Sequence, residues 1–323
     1  MKMLFYPGCS MQRTARPYLD SLQAIREAIG LELQEVADWN CCGATEYLSV
    51  HRLAAHALVG RNLALASRQA ADADTDTLTA GCSACYLNLA KTDQQMREDA
   101  RLNAKVNDAL AAGGLSYEPG SLKVRHLLDV VCNDVGYEAV QAKVVRPLYG
   151  LKLAPYYGCQ VVRPDPDSRW DDHEQPVAMD RLLRALGAEV VDYPLKTQCC
   201  GGHMTVIGPE VAYGLIRRLV HGAASAGADA IVTLCPMCQL NLDAYQIEMN
   251  KFFKTDYAVP VLYFTQVMGL AFGRSPAELG IGKEFVAAAP ALSRIQDEPP
   301  PAAEVKKKRR PRAEDGLPMP RMG

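Results

Sequence analysis

Ten of the eleven cysteines in this sequence form two sets of five that follow the same order. Each set has a single cysteine, then an adjacent pair, then a Cys-x-x-Cys. The first set is Cys9, Cys41, Cys42, Cys82 and Cys85, and the second is Cys159, Cys199, Cys200, Cys235 and Cys238. So long a pattern, written twice, indicates that a whole domain is duplicated.

The segments around the cysteines repeat as well. YPGC at 6–9 matches YYGC at 156–159, and CSACYLNLA, which starts at Cys82, matches CPMCQLNLDA, which starts at Cys235. Near the end of each half, VRHLLDVV resembles VLYFTQVM. For a chain of 323 residues this predicts two similar domains, 1–150 and 151–283, followed by a tail at 284–323.

Each half alternates short apolar runs with amphipathic stretches. Tyr18, Leu22 and Ile25 recur at helical spacing between the runs KMLFY and LELQEV, and MDRLLRALG precedes AEVVDYPL in the second half. A third apolar run leads into each Cys-x-x-Cys. Three strands alternating with helices predict an α/β fold of two similar Rossmann-like domains with small parallel sheets.

Every cysteine group follows one of these predicted strands. In parallel sheets, ligands bind beyond the carboxyl ends of the strands, which all lie at one edge. We therefore expect the five thiols of each half to meet at that edge. Residues 93–120 have no counterpart of equal length and are expected to form a helical insertion that ends in a loop.

The end of the chain differs in composition from the rest. From about Asp297 it is rich in Pro, Ala and charged residues, which predicts disorder. The run KKKRRPR within it can contact a partner or an anionic surface, or can act only as a solubilising tail.

Charge and hydropathy exclude several classes of protein. The 35 Lys and Arg residues nearly balance the 37 Asp and Glu residues, which argues against a nucleic-acid partner. The apolar stretches are too short for a membrane span or a signal peptide, so we expect a cytoplasmic protein. Disulfides are rare in that compartment, and the cysteines therefore indicate metal binding or redox chemistry.

Five thiols in each half favour an iron–sulfur cluster over zinc. A tetrahedral zinc ion accepts four ligands, and adjacent cysteines chelate one ion poorly unless the backbone turns sharply. Gly43 and Gly201 follow the two Cys-Cys pairs and permit such a turn. Adjacent thiolates suit a larger iron–sulfur cluster better.

The duplicated Cys-Cys-Gly motif is similar to that of the B-type subunit of heterodisulfide reductase, and the resemblance covers about residues 1–275. It implies that each set of five cysteines holds an unusual non-cubane 4Fe-4S cluster, so that the chain carries two. It also implies that the two clusters lie near each other between the domains. There they would cleave a disulfide together, each taking one sulfur at an iron while electrons arrive one at a time.

The same resemblance implies partners. The chain has no G-x-G-x-x-G or P-loop motif, so its electrons must come from or go to another subunit. In the family that neighbour is a ferredoxin-like 4Fe-4S subunit, itself served by a flavoprotein subunit. The resemblance implies that the substrate is a disulfide or a thiol. Bacterial sulfur-oxidising relatives run the reaction in reverse, with a lipoate-binding protein as the partner.

Three other functions remain open. Similar repeats occur in the iron–sulfur electron-transfer subunit of glycolate- or lactate-oxidising complexes, although the ferredoxin domain often found there is absent from this sequence. A non-catalytic metal-binding scaffold is a second alternative. A dithiol enzyme that uses Cys82 and Cys85 is a third, and it leaves the other motif cysteines unexplained.

A few residues outside the cysteine sets are candidates for secondary roles. His203, next to the second Cys-Cys-Gly-Gly, is a candidate proton donor to a departing thiolate or a structural residue. His126, which aligns with Tyr263, is expected to be a packed strand residue. Arg163 and Lys196 are expected to be solvated charges rather than substrate-binding groups, and Cys132 a buried inert thiol.

Overall fold

The computed structural model describes residues 1–44, 47–162 and 170–299. These form two domains, each built on a four-stranded parallel sheet flanked by helices. The predicted α/β class with an internal duplication is thereby confirmed. Arg163 and residues 300–323, which contain the basic run of the predicted disordered tail, lie outside the described residues.

The first sheet has the strand order β2-β1-β3-β4. Its strands are β1 (Lys2–Tyr6), β2 (Glu32–Glu35), β3 (Thr77–Ala80) and β4 (Lys123–His126). Its helices are α1 (Gly8–Gln12), α2 (Arg16–Ile25), α3 (Tyr47–Val50), α4 (Arg52–Ala73), α5 (Ser83–Glu98), α6 (Ala100–Ala111), α7 (Leu127–Asp129) and α8 (Tyr137–Gln141), with a π-helical turn at Val130–Val135. Residues 93–120, predicted to be a helical insertion that ends in a loop, comprise the end of α5, all of α6 and the loop after it.

The second sheet repeats this order as β6-β5-β7-β8. Its strands are β5 (Lys152–Tyr156), β6 (Glu189–Val190), β7 (Ala230–Thr233) and β8 (Val261–Tyr263). Its helices are α9 (Ala178–Ala185), α10 (Met204–Ile207), α11 (Pro209–Ser225), α12 (Pro236–Asp243), α13 (Gln246–Phe253), α14 (Phe264–Ala271) and α15 (Ala289–Leu292).

The central strands of both sheets are apolar because helices cover both of their faces. Leu4 pairs with Leu78 in the first sheet, and Leu153 pairs with Ala230 in the second, and all four side chains are fully buried. The connections leave β1 and β3 in opposite directions along the sheet, which places a crevice beyond their carboxyl ends. In the first half the single cysteine follows β1 and the Cys-x-x-Cys follows β3. In the second half they follow β5 and β7.

The structure corrects the strand predictions in two respects. A fourth strand, β4 or β8, adds to the three strands that alternate with helices in the predicted unit, and His126, which was expected in a strand, ends β4. In addition, β2 ends at Glu35 and β6 at Val190, so each Cys-Cys pair lies on a loop well beyond its strand rather than directly at the strand end. The loop still returns the pair to the same edge of the sheet.

The two domains pack through α2 and α14. Across this boundary the ring of Tyr18 stacks on that of Tyr263, with centroids 4.3 Å apart. The hydroxyls of Ser21 and Thr265 share a buried hydrogen bond of 2.6 Å. Aromatic stacking and a buried polar pair both require a fixed geometry, so the two cysteine-bearing edges are held in a defined relative position.

The segment just after residue 283 packs against the second domain. The backbone N–H groups of Phe285 and Val286 donate to the carboxylate of Asp243, and Gln296 pairs with Tyr149. Residues 284–299, which the sequence assigned to the tail, therefore contain α15 and contacts to both halves of the chain.

Candidate metal centres

The glycine before the single cysteine makes room for a thiol of the Cys-x-x-Cys. A Cβ atom on Gly8 would lie 2.8 Å from Sγ of Cys85, and one on Gly158 would lie 3.0 Å from Sγ of Cys238. Both glycines also have positive φ, +69° and +70°. The repeated Gly-Cys thus reflects a close approach that no residue with a side chain would allow.

The two Cys-Cys-Gly turns have the same geometry. Gly43 and Gly201 have φ of +78° and +98°, as the sequence predicted for a sharp turn. In each turn the glycine N–H donates to the thiol of the first cysteine, Cys41 at 3.4 Å and Cys199 at 3.3 Å. The turn exposes this first cysteine and buries the second, Cys42 or Cys200.

Each buried cysteine of a pair meets the second thiol of its Cys-x-x-Cys. The Sγ atoms of Cys42 and Cys85 are 3.5 Å apart, as are those of Cys200 and Cys238. In the first domain, Sγ of Cys41 also lies 3.8 Å from that of Cys9. The structure therefore brings together the groups that are far apart in sequence.

Hydrogen bonds between thiols shift their ionisation. The interactions of Cys42 with Cys41 and with Cys85 lower the pKa of Cys42 well below its ordinary value. The hydrogen bond between the thiols of Cys200 and Cys238 raises the pKa of Cys238. The thiols of each set thus share protons with one another, and a metal must displace these protons when it binds.

All five cysteines of the second set line one cavity of about 210 Å³. Its remaining wall includes Met204, Ile207 and Met237, with Gln160 and His203 as polar members. Ser83, from the first domain, also lines it. The second site is thus closed by a residue from the other half of the molecule.

The two sets meet at the domain boundary. The thiols of Cys82 and Cys235 lie close enough to affect each other's ionisation: Cys235 raises the pKa of Cys82, and Cys238 and then Cys82 lower the pKa of Cys235. The Tyr18 hydroxyl lies against the residues just before them, 3.1 Å from the carbonyl oxygen of Gly81 and 3.4 Å from that of Leu234.

The sequence did not single out the residues that fix the Cys-Cys-Gly turns. The side-chain amide of Asn88 donates to the carbonyls of Cys42 and Ala44, and that of Asn241 donates to those of Cys200 and Gly202. Each lies three residues after its Cys-x-x-Cys. The signal for them was present in the repeat, since the same Asn occurs in both copies.

Two repeated tyrosines act in the same way. Tyr6 donates to the carbonyl of Asn40 at 2.6 Å, and Tyr156 donates to that of Gln198 at 2.7 Å. Asn40 and Gln198 immediately precede the Cys-Cys pairs. Both tyrosines belong to the repeated YPGC and YYGC segments, so each Gly-Cys loop is tied to its Cys-Cys turn.

The other candidate residues have varied surroundings. His203 precedes α10 and lines the second cavity. His126 ends β4 as a packed strand residue, and burial lowers its pKa to about 4. Lys196 is not the solvated charge that was expected, because it forms a largely buried ion pair with Asp180 at 3.1 Å. Cys132 is buried as predicted, 3.7 Å from the carbonyl oxygen of Ala178.

The arrangement of the thiols decides what kind of metal group fits them. Within residues 1–44, 47–162 and 170–299, no three His, Cys, Asp or Glu side chains are grouped as a site for a single ion. The cysteines of the second set instead surround a cavity, and all are free thiols. Thiolates around a cavity of this size fit an iron–sulfur group, which Cys ligands hold in proteins.

The chain matches a known domain family twice and has relatives that match over most of its length. The family model described as "Cysteine-rich domain" matches residues 3–90 and again 153–243. The 8-methylmenaquinol:fumarate reductase membrane anchor subunit of Wolinella succinogenes is 35% identical over 282 residues, which are 87% of this chain and 96% of that protein.

Methanogens and related archaea contain further relatives. The B-type subunit of ferredoxin:CoB-CoM heterodisulfide reductase from Methanosarcina mazei is 30% identical over 299 residues, covering 92% of this chain and 97% of that protein. A protein of Archaeoglobus profundus that is named as similar to this subunit is 30% identical over 285 residues, covering 86% and 93%.

A solved structure shows the same fold. The crystal structure of a hypothetical protein from Helicobacter pylori superposes with a TM-score of 0.69 at 15% identity, over 88% of this chain and 52% of that one. Together with the repeated match to the cysteine-rich domain, the sequence relatives show that the chain belongs to the family of the heterodisulfide reductase B-type subunit.

Proposed function

We propose that this chain is the iron–sulfur catalytic subunit of a heterodisulfide reductase-like complex, which reductively cleaves a disulfide, or forms one in reverse, at two non-cubane 4Fe-4S clusters. The observation that supports this most directly is the cavity lined by all five cysteines of the second set. The contact between Cys82 and Cys235 adds to it, since both sulfurs of one disulfide need sites close together.

The protein would contribute shape and ligands to this reaction. Splitting a disulfide takes two electrons and leaves two thiolates, and the iron–sulfur groups supply the electrons and Lewis-acidic iron. Met204, Ile207 and Met237 give the second cavity a largely apolar lining. The exposed thiols Cys41 and Cys199 mark the sides from which a substrate would approach.

His203 is proposed as the proton donor on the second side. It lines the cavity together with Cys159 and Cys199, within the segment that follows Cys-Cys-Gly-Gly. A ring nitrogen there can give a proton to a leaving thiolate sulfur. The partners proposed for electron supply are a ferredoxin-like 4Fe-4S subunit and a flavoprotein subunit.

Metal and sulfide analysis of the anaerobically purified full chain tests the proposal. We expect about eight irons per chain with matching acid-labile sulfide, and a new EPR signal when a thiol such as coenzyme M, coenzyme B or dihydrolipoamide is added under oxidising conditions. Two zinc ions without sulfide would show a metal-binding scaffold instead. Full iron content without any thiol-dependent signal would favour an electron-transfer role.

A second candidate is an electron-transfer subunit at a membrane surface in a quinol-linked fumarate reductase, as the name of the Wolinella relative suggests. The favouring observation is an exposed apolar group beside the second cavity: Val206, Ile207 and Val211 are 78%, 71% and 59% exposed. None of the helices in the described part of the chain is long and apolar enough to cross a bilayer.

The two candidates differ in what they bind. Co-sedimentation of the full chain with anionic phospholipid vesicles, and its loss in Val206→Asp with Ile207→Asp, would support the membrane-surface role. Val145→Asp, at an equally exposed valine of the first domain, is the matched control. Absence of vesicle binding together with a thiol-dependent EPR signal would support disulfide chemistry.

A further inference from the structure

Ser83 has a buried hydroxyl that finds no hydrogen-bond partner among the residues the structure describes. It is the first residue of α5, directly after Cys82, and only 1% of it is exposed. Its Oγ atom makes no hydrogen bond within the described part of the chain. A buried hydroxyl left unpaired is destabilising, so such a group is normally satisfied by something the protein binds.

The surroundings of Ser83 indicate what that is. Ser83 belongs to the first domain, yet it lines the cavity that holds Cys159, Cys199, Cys200, Cys235 and Cys238 of the second. The Tyr18 hydroxyl joins the two Cys-x-x-Cys segments there, since it lies 3.1 Å from the carbonyl oxygen of Gly81 and 3.4 Å from that of Leu234. The atoms that this cavity is proposed to receive are sulfurs, and a hydroxyl can donate its proton to sulfur.

The two halves of the molecule differ at this position. The residue that follows the first cysteine of the other Cys-x-x-Cys is Pro236, which starts α12 and has neither a hydroxyl nor an N–H. The Ser83 hydroxyl can therefore donate a hydrogen bond at the second centre, whereas Pro236 cannot donate one at the first.

We propose that Ser83 is a positioning residue that donates a hydrogen bond to a sulfur at the second metal centre and thereby raises the reduction potential of that centre. The physical reason is that the reduced centre carries more negative charge on its sulfurs, so a donor stabilises it more than the oxidised form. The inference rests on the proposed iron–sulfur function. It adds that this hydrogen bond is made at the second site and has no counterpart from Pro236 at the first.

The test uses the full chain, purified anaerobically, in redox titrations followed by EPR. Ser83→Ala should keep its iron, and the midpoint potential of one centre should become more negative while the other stays unchanged. Ser83→Thr, which keeps the hydroxyl, should restore the original value. Thr233→Val is the matched control, because the Thr233 hydroxyl is equally buried and unpartnered but does not line the cavity.

The affected centre is identified by repeating the titration in Cys41→Ser and Cys199→Ser backgrounds, each lacking ligands of one site. Unchanged potentials in Ser83→Ala, equal shifts of both centres, a shift confined to the first centre, or loss of the second centre's iron would each overturn the inference. If wild type contains no iron and sulfide, the proposed function itself fails, which the metal analysis shows separately.

Discussion

Cys82 and Cys235, which occupy the same place in the two repeats, lie beside each other at the boundary of the two domains, where the Tyr18 hydroxyl contacts the carbonyl oxygens of the residues before both. The other thiol–thiol contacts described above each join residues of one set. This pair therefore links the two sets. Substitutions at the link should behave differently from substitutions elsewhere in either set.

Serine replacement should reveal that difference. Cys41→Ser and Cys199→Ser remove an exposed thiol of one set each, so each should lower the iron content by about half, to about four irons per chain. Cys82→Ser should also change the EPR signal of the second centre, because Cys82 contacts Cys235. Iron analysis with EPR checks this, and an effect of Cys82→Ser restricted to the first centre would contradict the link.

Alanine at the glycines before the single cysteines should cost more than backbone strain alone. Gly8 and Gly30 have nearly the same φ, +69° and +67°, but only a Cβ at Gly8 meets a thiol, while one at Gly30 meets nothing within 4 Å. Gly30→Ala should cost about 1 kcal/mol of unfolding free energy and leave the iron content intact. Gly8→Ala should cost more and displace Cys85, so iron is lost from the first centre.

Urea unfolding and iron analysis on the same preparations measure both effects. Gly158→Ala should repeat the result in the second centre, since its Cβ would lie 3.0 Å from Cys238. Equal behaviour of Gly8→Ala and Gly30→Ala would show that the close approach has no consequence.

The asparagines that bridge the Cys-Cys-Gly turns should stabilise both the turns and the metal centres. Asn241→Ala leaves the carbonyls of Cys200 and Gly202 without this donor, which should cost about 1–3 kcal/mol of unfolding free energy and lower iron retention in the second centre. Asn88→Ala should act on the first centre alone. Iron release to a chelator, followed over time, would distinguish the two, and loss from the opposite centre would contradict the assignment.

Stability at alkaline pH should depend on Cys132. Burial raises its pKa from 9.0 to about 12, so the unfolded chain ionises this thiol first. Its contribution is therefore complete below pH 9.0 and is lost as the pH rises towards 12. Relative to Cys132→Ala, the unfolding free energy of the wild type should fall by about 1.4 kcal/mol per pH unit above pH 9.0. Urea unfolding across this range measures the difference, and parallel curves would contradict the prediction.

The sequence predicted much of each domain because the relevant signals are local and occur twice. Apolar runs such as that of Leu4 indicated the central strands, and the glycines Gly43 and Gly201 indicated the turns. Although His126 was expected in a strand, β4 and β8 were not counted in the predicted sheets, because they are short and the first contains the polar residues Lys123 and Arg125. Strand β6 shortens to two residues because only Glu189 and Val190 pair with β5.

What the sequence could not show is how the domains face each other. The contact of Cys82 with Cys235, and the entry of Ser83 into the opposite cavity, depend on the packing of α2 against α14. Neither helix contains a cysteine or any motif that marks it as an interface. Lys196 was placed in solvent for a similar reason, since its partner Asp180 lies on another element.

Cys82 and Cys235 occupy the same position in the two repeats and lie beside each other, which has a consequence for how the sequence next to them can vary. Equivalent residues touch each other when two copies are related by an approximate twofold axis, the arrangement of an isologous homodimer. In a true homodimer the residue after each boundary cysteine would have to be the same on both sides. Covalent fusion of the halves removes that constraint, and a serine on one side can face the axis opposite a proline on the other.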